Sequence, residues 1–116
     1  MKRIFFRTAI RMAIFSAAAI LLGLPAALPA QTDAAKSYKT NCVMCHAADG
    51  SGSAPAGKAL QAKDLRSPEV QKQSDAGLTT VISKGRGKMP AFAAKLKADE
   101  IKDMVAYVRD LAKAKK

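Results

Sequence analysis

The chain has 116 residues, and its 20 Lys and Arg stand against 9 Asp and Glu. The basic residues are spread along its whole length without a helix-turn-helix or finger pattern, which argues against nucleic acid as a partner. Two cysteines and a single histidine cannot supply the four sulfur and nitrogen ligands of a structural zinc site.

Lys2, Arg3, Arg7 and Arg11 precede an apolar run over residues 12–24, broken only by Ser16 and Gly23, and "PAALPA" follows. A basic start, a short apolar run and small residues at the end describe a secretory signal peptide over residues 1–30. The run is shorter than the roughly 20 apolar residues that cross a bilayer, so an uncleaved membrane anchor is the weaker alternative. Leu28, three positions before a cut after Ala30, keeps that alternative open. Residues 31–116 then form one small domain, still basic once the leader's four cations are removed, and its charge favours acidic partners. So short a chain needs a staple. A Cys pair three residues apart closes almost no loop, so a cofactor is expected to fill the core.

The spacing of Ala34, Ala35, Tyr38 and Cys42 predicts a helix over residues 33–45. "HAADGSGSAPAGKAL" reads as a loop. Within it, "GSAPAGK" has the spacing of a phosphate-binding loop, but Ala59 stands where Ser or Thr would bind magnesium, and no strand leads in. "SPEVQKQ" predicts a short helix with Ser67 as N-cap and Pro68 at its first position. "SDAGLTTVISKG" predicts another, capped by Ser74, with Leu78, Val81 and Ile82 on one face and Gly85 at its end. "GRGKMPAFAAKL" reads as irregular chain. The last helix, over residues 99–112, carries an apolar stripe of Ile101, Met104, Val105, Val108, Leu111 and Ala112. Asp99 and Glu100 at its start, with Arg109, Lys113 and Lys115 at its end, match the helix dipole. The fold class is all-α, with about four helices.

"NCVMCHAADG" holds both cysteines and the only histidine. A thioredoxin-like dithiol would want strand–helix context and would have no need of the adjoining His46. Cys-x-x-Cys-His is the pattern of covalent haem attachment. Cys42 and Cys45 lie about one helical turn apart, so both sulfurs emerge on the same side. They can form thioethers to two vinyl groups along one porphyrin edge, while His46 reaches over the ring to the iron. The leader agrees, because such attachment takes place outside the cytoplasm. No paired-carboxylate or Ser–His arrangement accompanies the motif, so no enzyme site is expected.

"CVMCH", "GKMPAF" some forty residues later and the closing "DMVAYVRDLAK" together resemble a class I c-type monohaem cytochrome, in the style of the small c-six and c-five-five-three types. The resemblance covers residues 33–113. It implies a cytochrome c fold wrapped around one haem c, covalent through Cys42 and Cys45, with His46 and Met89 as the axial metal ligands. It implies a monomeric periplasmic single-electron carrier without a small-molecule substrate. Pro55 matches the proline whose carbonyl accepts the second ring proton of His46. Tyr38 and Tyr107 match the packing aromatics where the first and last helices cross, and Met44 and Met104 are expected to pack. Lys58, Lys84, Arg86, Lys88 and Lys95 fall where the family's haem crevice is bordered, which suits redox partners with acidic docking surfaces, such as membrane oxidase or reductase complexes. An open-coordination haem sensor or peroxidase-like enzyme would need a vacant sixth position, which Met89 argues against. A haem subunit tethered to a larger oxidoreductase is the remaining alternative. Two residues depart from the family: Ala47 where glycine is common, and Lys97 where Ser or Thr often caps the last helix.

Overall fold

In the computed structural model, residues 30–114 are described. The predicted leader lies outside them except for Ala30, and so does Lys115. The elements are α1 (Ala30–Asn41), α2 (Val43–His46), α3 (Pro55–Leu60), α4 (Pro68–Gln71), α5 (Asp75–Lys84) and α6 (Ala98–Lys113). Extended pairing among the described residues is a single isolated bridge, Arg86 with Met89.

Local chemistry accounts for most of these boundaries. Ser67 accepts a hydrogen bond from the Val70 N–H at 3.3 Å, and Ser74 from the Gly77 N–H at 3.1 Å. Each predicted cap therefore satisfies a donor left unpaired by the first turn. Helix α6 starts at Ala98, one residue before the expected start. Lys97 has no side-chain acceptor to offer, but the Glu100 carboxylate accepts from the Lys97 N–H at 2.7 Å. That is half of a capping box.

The stripe of α6 faces inward, with Ile101, Met104, Val105 and Val108 buried. They pack with Tyr38 from α1, Val70 from α4, Leu78 and Ile82 from α5, and Phe92 and Leu96 from the segment between α5 and α6. Helices α1 and α6 meet through the rings of Tyr38 and Tyr107, whose centroids lie 5.0 Å apart. Arg109 does more than complement the α6 dipole. Its guanidinium reaches the Gln71 carbonyl at 2.9 Å, the Gln73 carbonyl at 2.6 Å and the Asp75 carboxylate at 2.7 Å. It ties the last helix to the junction of α4 and α5.

Two expectations need correction. The helix expected over residues 33–45 is broken at Cys42, giving α1 and α2. The expected loop after His46 contains α3. Pro55 opens that helix, its fixed φ suiting the first position, and Gln61 closes it in the left-handed region at φ 57°. The glycines and prolines that read as a loop are here the punctuation of a short helix.

Candidate cofactor site

The motif folds as a single turn. The Cys45 and His46 N–H groups both donate to the Cys42 carbonyl, at 3.1 and 2.8 Å, and Cys42 N–H donates to Tyr38 at 2.8 Å. Both thiols are free and partly buried. Burial, followed by the neighbouring Cys45, pushes the Cys42 thiol up to about 11. A reactive dithiol has its thiolate stabilised. Cys42 is poised the other way.

His46 is oriented by its neighbours. Its Nδ1 lies 3.0 Å from the Lys63 carbonyl oxygen. A carbonyl can only accept, so Nδ1 carries the proton, and in the neutral ring Nε2 keeps its lone pair. Burial lowers the His46 pKa, against the opposing bond to Lys63, which favours that neutral ring. The acceptor is thus not Pro55, as expected, but Lys63. The reason is α3: it turns the chain so that the segment after Gln61 returns to the histidine. Gly57 allows the turn, because a Cβ there would collide with the Cys45 carbonyl oxygen. Leu65 N–H bonds Gly50 at 2.7 Å, and Arg66 grips Asp64 at 2.9 Å and Asp49 at 3.0 Å. The Ser51 hydrogen bonds and Arg66 hold the Asp49 carboxyl below the usual carboxylate range.

Ala47, just after His46, sits at φ 61°, ψ 166°, a region that glycine occupies almost alone. Tyr38 helps hold it there, donating from its hydroxyl to the Ala47 carbonyl at 2.8 Å. Burial raises the Tyr38 pKa well above its ordinary value, so the donor keeps its proton. Tyr38 therefore does more than pack.

Met89 closes the turn Arg86-Gly87-Lys88-Met89. Arg86 and Met89 exchange both backbone hydrogen bonds, at 3.1 and 3.0 Å. Beyond the turn, Phe92 N–H bonds the Ile82 carbonyl at 3.0 Å, and Ala93 N–H bonds Ser83 at 3.2 Å, so the chain after Met89 is stitched to α5. Met104 packs as expected at 1% exposure, whereas Met44 is 75% exposed and packs little.

Cys42, Cys45, His46 and Met89 all line one cleft of about 730 Å³, walled by Val70, Leu78, Ile82, Phe92 and Val108. The volume lies within the range of cofactor sites. An apolar cleft with two thiols, a neutral imidazole and a thioether offers the donors that haem c requires, so the residues present fit that group. Sequence reasoning missed Lys63, Gly57 and the long-range grip of Arg109. The Lys63 contact is made by a backbone atom, which leaves no mark in the residue type.

An all-helical fold around such a cleft defines a haem-binding domain with covalent attachment. Residues 29–108 match the family described as cytochrome C oxidase, cbb3-type, subunit III. Cytochrome c6 of Nostoc sp. (strain PCC 7120) is 32% identical, over 98% of this chain and 97% of that protein. Cytochrome c6 of Microcystis aeruginosa is 37% identical, over 72% of this chain and 98% of that protein. The solved structure of KustC0563 c-type cytochrome superposes with a TM-score of 0.62 at 32% identity, covering 67% of this chain and 95% of that one. The chain belongs to the class I c-type cytochromes. Its business is accordingly electron transport on haem iron, and it is not an enzyme.

Proposed function

We propose that this cytochrome is a periplasmic single-electron carrier whose haem c would be held through Cys42 and Cys45, with His46 and Met89 as the iron's protein ligands. The observation that carries the reading is the meeting of all four side chains on one apolar cleft. When bound, the haem supplies one-electron chemistry as its iron passes between ferrous and ferric.

The chain's own residues prepare the site for that exchange. Lys63 fixes the His46 ring and leaves Nε2 as the donor atom. The hydrogen-bonded turn and the Phe92 anchor hold Met89 rigidly, so neither ligand need move when the charge changes. A sulfur ligand together with an apolar wall favours the reduced state and so a raised potential. Residues 1–30 act in this reading as the export signal that delivers residues 31–116 to the periplasm.

Redox partners with acidic docking surfaces suit the basic residues around the cleft. Arg86, Lys88 and Lys95 line it, while Lys58 and Lys84 are exposed outside its lining. Met44 and Leu60, both exposed, also line it and offer apolar contact beside the cysteines. A second reading, a haem subunit of a larger oxidoreductase, draws on the description of the matching family. Among the described residues no helix is long and apolar enough to cross a membrane.

Absorption spectra of the purified holoprotein in both redox states test the assignment, with Met89→Ala as the paired variant. We expect a low-spin haem c spectrum with a weak sulfur-to-iron charge-transfer band that the variant loses. Retention of the band in Met89→Ala would assign the sixth position to another residue.

A further inference from the structure

Three arginines fall among the described residues, and two of them are staples. Arg66 grips Asp64 and Asp49, and Arg109 grips Asp75 with the carbonyls of Gln71 and Gln73. Arg86 differs. It is exposed, and its guanidinium makes no hydrogen bond or ion pair with any described residue.

Its backbone, however, is fixed. Arg86 and Met89 exchange both N–H···O bonds, as directly opposed residues of an antiparallel pair do. The side chains of such a pair leave the same face, with Cβ atoms about 4.5–5.5 Å apart. Both residues line the cleft. The turn that presents a thioether to the cleft therefore presents a guanidinium beside it.

The other charges around the cleft sharpen the point. Lys63 and Glu69 face each other at 3.1 Å, and the Lys95 ammonium lies over the Phe92 ring, 6.0 Å from its centroid, which leaves Arg86 and Lys88 as the lining cations that face neither a carboxylate nor a ring. An apolar cleft with a cationic margin suits a flat apolar ligand that bears anionic groups. Lys88 occupies the tip of the turn, outside the hydrogen-bonded pair. Only Arg86 combines a fixed direction with the planar fork that matches a carboxylate in two hydrogen bonds.

We propose that Arg86 pairs with a carboxylate of the bound tetrapyrrole and so fixes the seating of the ring next to Met89. This rests on the haem reading above, and it moves Arg86 from the docking rim to the cofactor. A cation held close to the ring opposes the extra positive charge of ferric iron. Arg86 is therefore a positioning residue that also raises the potential.

The test uses the holoprotein with Arg86→Gln and Arg86→Lys. In nuclear magnetic resonance spectra of the ferric state, Arg86→Gln should move the shifted propionate methylene resonances and leave the thioether methyl resonances in place. Its potential should fall while the sulfur-ligand band persists, and Arg86→Lys should recover part of both shifts. Unmoved propionate resonances and potential in Arg86→Gln, with a change only in the salt dependence of a partner reaction, would overturn the proposal and return Arg86 to the docking rim. A wild-type protein without the sulfur-ligand band would overturn the haem reading itself, and the proposal with it.

Discussion

The cleft is flanked by two segments that are held in different ways. On the histidine side, residues 47–65 rely on close backbone approach. Gly57 abuts the Cys45 carbonyl, and Ala47 is kept in a region unfavourable for a side chain. On the methionine side, residues 85–96 rely on reciprocal hydrogen bonds and on two buried anchors, Phe92 and Leu96. The first arrangement tolerates little change of residue, because backbone contact leaves no room for a Cβ. The second spreads its constraint over several bonds and a share of the core. Ligand geometry should thus be more fragile at His46 than at Met89.

The largest effect should come from removing what both segments enclose. A Cys42→Ala, Cys45→Ala double variant should lose covalent haem and most of its helical circular dichroism. The domain is small, its aromatic content is only 5%, and five residues of its core, Val70, Leu78, Ile82, Phe92 and Val108, wall the cleft that the haem would fill. A cooperative thermal transition in the variant would mean that the helices alone sustain the fold.

Next, Gly57→Ala should cost about 1–3 kcal/mol, the usual range for overpacking, and should disturb the histidine side selectively. Denaturant titration would read the stability. The same comparison can be run on the other side with Gly85→Ala. Gly85 ends α5 at φ 76°, and a Cβ there would lie 2.5 Å from the Met89 carbonyl oxygen. It should loosen the sulfur ligand, seen as a weaker charge-transfer band, where Gly57→Ala leaves that band in place. Equal effects of the two variants on the band would break the distinction between the segments.

Much of this architecture was legible in the residues, and what was not has a common cause. The Cys-x-x-Cys-His turn, the α6 stripe and the caps at Ser67 and Ser74 depend on spacings of three or four residues, which a local reading captures. The Lys63 acceptor lies 17 residues from His46 and acts through a main-chain oxygen, so residue type carries no signal for it. Helix α3 was hidden because Pro55 and Gly57 are breakers in most contexts. Arg109 was read from its place near a helix end, whereas its partners lie 34 to 38 residues away. Met44 is expected to pack because its place inside the Cys pair keeps it from the far face, yet its side chain is exposed at the cleft lining instead.

A smaller change, Ala47→Gly, should strengthen the histidine side. The conformation of Ala47 costs on the order of 1–3 kcal/mol for a residue with a side chain, and glycine returns about 0.5–1 kcal/mol of that in unfolded-state entropy. A net gain of about 0.5–2 kcal/mol follows, with the spectrum unchanged. A lower denaturation midpoint would show that the alanine is not strained in the folded protein.

The smallest effect belongs to Lys97, which lies beyond both segments and serves as their control. Helix α6 already has the Glu100 half of a capping box, and the Lys97 ammonium cannot accept the returning bond. Lys97→Ser would supply a hydroxyl for the Glu100 N–H while the Glu100 carboxylate keeps its bond to residue 97. The expected gain is about 0.5–1 kcal/mol, the size of a typical cap. Because Lys97 follows directly on the buried anchor Leu96, the variant also asks whether stiffening the start of α6 reaches the methionine side. If the two are independent, the denaturation midpoint rises while the charge-transfer band and the potential stay fixed. A shift of the band would show that Leu96 transmits the change to Met89, and the methionine side would then owe its rigidity to α6 as well as to its own hydrogen bonds.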